Sequence, residues 1–167
     1  MTRPPVWAVL AAPVFASLFI GTLLVYVPGT LAGWQFQPPF LGWPWVRWLG
    51  AATMALGAPL CADAITRFVA RGHGTPAPFA PPRHLVISGF YRHVRNPMYL
   101  GAGAVLLGEA LLLGSHDILL YLAALAVVIH LFVMLYEEPT LRRKFGDEYR
   151  RYCAEVPRWL PRFRPPA

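Results

Sequence analysis

Four apolar stretches, at about 6–27, 44–66, 97–114 and 117–136, take up about half of the 167-residue chain and decide its solvent. A hydrocarbon core of about 30 Å needs roughly 20 apolar residues at a helical rise of about 1.5 Å each. Each stretch comes close to that length, and a membrane satisfies the backbone of such a segment only as a helix or in a closed barrel. The expected fold class is therefore all-α: a single polytopic membrane helix bundle over residues 1–167, with about four transmembrane helices. Composition agrees, since only 14% of residues are charged where soluble domains average about a quarter. The first stretch follows Arg3 and is too long, and too poor in a small-residue cleavage site, for a cleaved signal peptide, so it reads as a retained helix. Pro59 removes a backbone donor inside the second and predicts a kink. Between the third and fourth, "GSHD" (114–117) leaves room only for a tight hairpin.

Charge supplies an orientation. Of the 15 Lys and Arg, all but Arg47 lie at the N-terminus, between Arg67 and Arg95, or from Arg142 onward. Four crossings put those segments on one side, and the positive-inside rule makes that side cytoplasmic, with both termini there. Trp43, Trp45 and Trp48 then mark the opposite interface. The formal charge of +7 is thereby explained by topology and anionic headgroups, and no nucleic-acid partner is expected. Nor is a metal: Cys61 and Cys153 form no C-x-x-C pair, and His73, His84, His93, His116 and His130 are too scattered for a first shell.

Two polar segments carry the chemistry. In "RGHGTPAPFAPPRHLVISGFYRHVRNPMYLGAG" (71–103) the Gly- and Pro-rich start cannot be helical, and "HLVISGFY" (84–91) reads as a short interfacial stretch. Asn96 precedes Pro97, which biases Asn96 away from helical geometry and suits Pro97 to the first turn of the third helix. Arg95 and Asn96 thus stand at a helix N-terminus, a place that favours an anion and that also suits a plain cap. The second segment, "YEEPTLRRKFGDEYRRY" (136–152), leaves the membrane with two adjacent carboxylates, Glu137 and Glu138, and then turns basic. Pro139 marks a break or a new helix start. Beyond it Leu141, Phe145, Tyr149 and Tyr152 recur at near-helical spacing among arginines, the pattern of a cytosolic amphipathic C-terminal helix. Paired carboxylates at the depth of the "RNP" corner suit an ammonium, a sulfonium or a hydroxyl pair, as well as a solvated first turn.

"GFYRHVRNPMYLG" (89–101), followed by "LYEEPTLRRKFGDEYRRYCAEVP" (135–157), resembles the integral-membrane methyltransferase superfamily of isoprenylcysteine carboxyl methyltransferases and phosphatidylethanolamine N-methyltransferases. The likeness covers roughly the last two thirds of the chain and rests on short motifs in a shared order. It implies an S-adenosyl-L-methionine site at the cytosolic face, with a lipophilic substrate arriving from the bilayer. By that resemblance the cofactor contacts fall on His84, Leu85 and Val86, on Tyr91, on Arg95, Asn96, Pro97, Met98 and Tyr99, and on Glu137 with Glu138, within about 83–103 and 130–157.

The acceptor is less decided. "RNP" stands where the isoprenylcysteine enzymes have "RHP", and Val133 where they carry a substrate arginine, so "NPMYLG" and "LYEEP" lean toward a phospholipid-type amine. The tail "FGDEYRRYCAEVP" is more similar to the carboxyl methyltransferases, which keeps a carboxyl acceptor as the alternative. Sterol reductases share an "RHPNY"-like corner and a "YC…VP" tail, so an NADPH-dependent reductase is a further alternative, and a non-catalytic membrane scaffold another. Catalytic candidates are Arg95, Glu109 and His130, with Asp63 nearer the cytosol, because ionisable groups at membrane depth are costly and either functional or mutually paired. His130, Met134, Glu137 and Glu138 share one helical face. Gly101, Gly103 and Gly108 read chiefly as close-packing positions, with Gly101 and Gly103 also available to a cofactor.

Overall fold

The computed structural model describes residues 18–72 and 84–163. Residues 6–17 of the first apolar stretch and most of the Gly- and Pro-rich linker, with His73, lie outside the described residues. All regular structure among the described residues is helical. We number α1 as Leu18–Leu31, which includes a π stretch at Thr22–Tyr26. Then come α2 (Val46–Gly72), α3 (Pro97–Leu113), α4 (His116–Phe132) and α5 (Glu138–Glu155), with a π turn at Val133–Glu137 between the last two. Val46–Arg67 of α2 and the helical run His116–Glu155 are long and apolar enough to cross a membrane, whereas Leu18–Leu31 and Pro97–Leu113 are apolar but shorter. At 17 residues α3 spans about 26 Å, only a little under the thickness of a hydrocarbon core.

Local sequence accounts for the element ends. Pro97 occupies the first turn of α3 after a non-helical Asn96 (φ −119°, ψ 55°), as the order Asn-Pro predicts. The helix stops at Gly114, whose φ of 75° is a left-handed cap that a Cβ would oppose. Ser115 then caps α4 by accepting from the Ile118 amide at 3.4 Å, so the hairpin needs only two residues.

Pro139 stands in the first turn of α5, as a new helix start predicts, but no break accompanies it. Glu137 and Glu138 both keep right-handed helical angles, and the helical run continues. Pro139 has no N–H to offer the carbonyl four residues back, and the widened π turn just before it takes up the mismatch. The true interruption is at Gly146 (φ 54°, ψ −122°), which redirects the second half of α5. The Leu141, Phe145, Tyr149 and Tyr152 set packs with Leu85 and Val156, so it covers the "HLV" segment.

Packing between α2 and α3 uses small residues at two-turn spacing. A Cβ on Gly108 would stand 2.6 Å from the Gly50 carbonyl oxygen, one on Gly57 2.8 Å from that of Gly101, and one on Gly101 2.6 Å from the Cys61 amide. Backbones meet there because no side chain intervenes, which is how helices associate where lipid cancels the hydrophobic gain. Gly103 faces the other way, with Leu122 of α4 its nearest neighbour at 3.9 Å. At the far end of this pair Arg47 donates to the carbonyl of Leu112 (3.2 Å), an acceptor that the end of α3 leaves open, and to that of Gln37 (2.7 Å) in the loop before α2.

Candidate functional site

The opposite end of the α2–α3 pair holds nearly every residue singled out above. Val86 and Tyr91 are buried against Ala64 of α2, with Met98 of α3 packed on them. This core fixes the loop that delivers Arg95 and Asn96 to the start of α3. The chain after α5 then folds back over the loop. The Arg95 amide donates to Pro157 O at 2.9 Å, Asn96 Nδ2 to Arg158 O at 3.2 Å, and the Arg162 amide to His93 O at 2.9 Å. Tyr152, from α5, donates its hydroxyl to Tyr91 O at 2.7 Å.

Glu138 is the knot of this closure. It is 4% exposed, takes a two-pronged contact from Arg158 (2.6 and 3.0 Å), and meets Arg95 at 3.0 Å and Arg142 at 3.7 Å. Burial works against its charge, but the Arg158 hydrogen bonds and the Arg95, Arg158 and Arg142 charges outweigh that and hold its carboxyl below the usual carboxylate range. The same bonds push the Arg158 guanidinium up. Arg95 also donates to Cys153 Sγ at 2.8 Å, while its Nε is buried without a hydrogen-bond partner.

Glu137 faces elsewhere. Its Oε2 accepts from the Tyr99 hydroxyl at 3.1 Å, and among the described residues the ion pairs of this corner all go to Glu138. Tyr99 in turn lines a cleft of about 570 Å³ between α3 and α4, walled by residues such as Gly103, Leu107, Leu122 and Ala126. The cleft is apolar except at the Tyr99 end, where His130 and Trp159 also line it. Trp159 donates its indole N–H to His130 Nδ1 at 3.0 Å, and its ring lies 6.5 Å from that of Tyr99.

Arg95, Asn96, Tyr99, Glu137, Glu138 and His130 are thus gathered at one end, and Val86, Tyr91, Pro97 and Met98 form the floor beneath them. Leu85 packs under α5, and His84 is exposed. Glu109 is ten residues from Tyr99 along α3, about 15 Å, and one of its carboxylate oxygens is buried without a partner. Asp63 is spent on Arg67, 2.7 Å away and one turn on. Sequence reasoning did not single out Arg158 or Trp159. The available signal was a tryptophan and an arginine side by side after "VP", in a tail otherwise short of reasons to hold a large aromatic. Among the described residues no group of three His, Cys, Asp or Glu converges as a metal site.

Parts of the chain are similar to known proteins. A stretch of 63 residues, 38% of the chain, is 44% identical to the full length of an uncharacterized protein of Haemophilus influenzae. A stretch of 74 residues, 42% of the chain, is 39% identical to a phosphatidylethanolamine N-methyltransferase of Laccaria bicolor, of whose length it spans 8%. No solved structure matches. The family model for phospholipid methyltransferase matches residues 45–148, from the start of α2 into α5 and across the whole Arg95–Glu138 corner. With more than half of its residues inside that match, the chain belongs to the phospholipid methyltransferase family.

Proposed function

We propose that the protein is an integral-membrane methyltransferase that uses S-adenosyl-L-methionine to methylate a lipophilic acceptor, a phospholipid-type amine, at the cytosolic face. The observation that carries the reading is Tyr99: one side chain both holds the Glu137 carboxylate and closes the apolar cleft between α3 and α4. An acid without an ion pair among the described residues therefore lies one hydrogen bond from a groove suited to an acyl chain.

The residues fit the donor. Glu137 keeps one carboxylate oxygen outside the Tyr99 bond and suits an ammonium or a ribose hydroxyl pair. The buried, unpartnered Nε of Arg95 suits the methionyl carboxylate. When bound, the sulfonium supplies a methyl group that an amine lone pair can take, the C–S electron pair returning to sulfur. What the chain adds is position and exclusion of water. Val133, 1% exposed and apolar, stands where the carboxyl methyltransferases carry an arginine, which favours an amine over a carboxylate acceptor.

On this reading α1 to α4 make four crossings with both termini cytoplasmic, and α5 emerges from α4 at the cytosolic face and turns along it at Gly146, with Arg142, Arg143, Arg150 and Arg151 exposed to headgroups. The purified protein with methyl-labelled donor should label phosphatidylethanolamine in mixed micelles and leave S-farnesylcysteine unlabelled. Label on the farnesylated thioether acid alone would overturn the amine assignment, and label on neither the methyltransferase itself.

A further inference from the structure

Trp159 and His130 meet at the polar end of the cleft, and their contact has a definite chemical sense. An indole nitrogen carries a hydrogen and can only donate. At 3.0 Å from His130 Nδ1 it therefore requires that nitrogen to be the bare one, and a neutral imidazole then carries its single proton on Nε2. The indole is not a loose partner. Its neighbour Arg158 is clamped on Glu138, the Arg158 carbonyl accepts from Asn96, and the rings of Trp159 and His130 stay 6.0 Å apart. Among the described residues His130 makes no other hydrogen bond, so Nε2–H is the polar group this ring has left for the cleft it lines.

We propose that Trp159 is a positioning residue that fixes His130 as a hydrogen-bond donor at Nε2, aimed at an acceptor oxygen of the lipid substrate, either phosphate or ester carbonyl. The inference rests on the methyl-transfer reading for the identity of that lipid. It also changes what His130 does. With Nδ1 committed and Nε2 protonated, the ring has no lone pair for a proton from the amine, so it orients the substrate and is not the general base. The device straddles the family match, which includes His130 and ends at residue 148, short of Trp159.

Nitrogen-15 histidine NMR of the full chain in detergent micelles tests this, the His130 signals being those that vanish in His130→Gln. The wild type should show the Nε2–H tautomer and Trp159→Phe a mixture, and diacyl phosphatidylethanolamine should shift Nε2 in the wild type. The diether lipid separates the sources: a shift there assigns the phosphate, a shift with the diacyl lipid alone the ester carbonyl. A dominant Nδ1–H tautomer, an unchanged tautomer in Trp159→Phe, or an Nε2 that neither lipid moves would overturn the proposal.

Kinetics give a second reading. His130→Gln keeps a donor and should hold KM for the lipid within about threefold, whereas His130→Leu should raise it about tenfold, the loss of one hydrogen bond, with kcat little changed. Equal loss of kcat in both with KM unmoved would mark a base and overturn it. Binding of S-adenosylhomocysteine to the wild type, measured alongside, keeps the two readings apart. If it fails while the NMR pattern holds, the methyltransferase reading falls and the tautomer assignment stands.

Discussion

Glu137 and Glu138 are neighbours in the chain, yet they face two regions built on opposite terms. Glu138 looks into a closed knot of Arg95, Arg158 and Arg142, where a buried charge is fully answered by side chains 43, 20 and 4 residues away in sequence. Glu137 looks toward Tyr99, which lines an apolar cleft, and among the described residues that single hydroxyl is its partner. The difference teaches a division of labour. An acid that satisfies three arginines has no capacity left for a ligand and serves to tie the tail to the "RNP" corner. An acid held by one neutral donor keeps an oxygen for something that comes from outside.

The largest expected effect follows from taking the knot apart. Glu138→Ala leaves Arg95 and the half-buried Arg158 unanswered, and should cost about 3 kcal/mol, the lower end of the scale for removing one partner of a buried pair. Thermal unfolding in detergent, with S-adenosylhomocysteine affinity lost along with the fold, checks it. Glu137→Gln should act the other way round. It keeps an acceptor for Tyr99, leaves the melting temperature within a few degrees, and lowers product affinity at least about tenfold through loss of one charge-assisted contact. Tyr99→Phe should weaken affinity by a smaller factor, about fivefold, because the carboxylate remains but is no longer aimed. It is read by the same titration.

The smallest effect is in pH. Glu138 has its folded-state carboxyl held below the ordinary value, so its contribution to stability is fully present above the unfolded value of about 4.3 and is lost as pH falls through the folded one. Unfolding scans should be flat from neutral pH down to about 5 and fall below that, with a shallower acid limb in Glu138→Gln. An unchanged limb in that variant would mean another group carries the acid sensitivity.

Much of this was legible in the chain because it depends on local pattern. The lengths of the apolar runs, the Asn-Pro order at the start of α3, and the glycines seven apart in each of two helices all specify their own surroundings. So does the depth at which Glu137 and Glu138 leave the apolar run. What was not legible depends on pairs distant in sequence. Nothing near residues 137 and 138 says which acid Arg158 will take, and a two-residue register cannot be read without the π turn that rotates both. Whether Pro139 breaks the chain or only opens a new helical segment was undecided for the same reason, since its cost depends on the width of the turn before it. Trp159 bonds a histidine 29 positions back, a contact that no periodicity announces.

The most direct measurement is calorimetric titration of S-adenosylhomocysteine into the detergent-purified wild type, Glu137→Gln and Arg158→Lys, each first matched for folding by its unfolding scan. Binding in the wild type that Glu137→Gln abolishes at unchanged stability, and that survives in Arg158→Lys as long as the protein stays folded, is the predicted result. Equal binding in Glu137→Gln and wild type, or no binding by a folded wild type that instead takes NADPH, would contradict it.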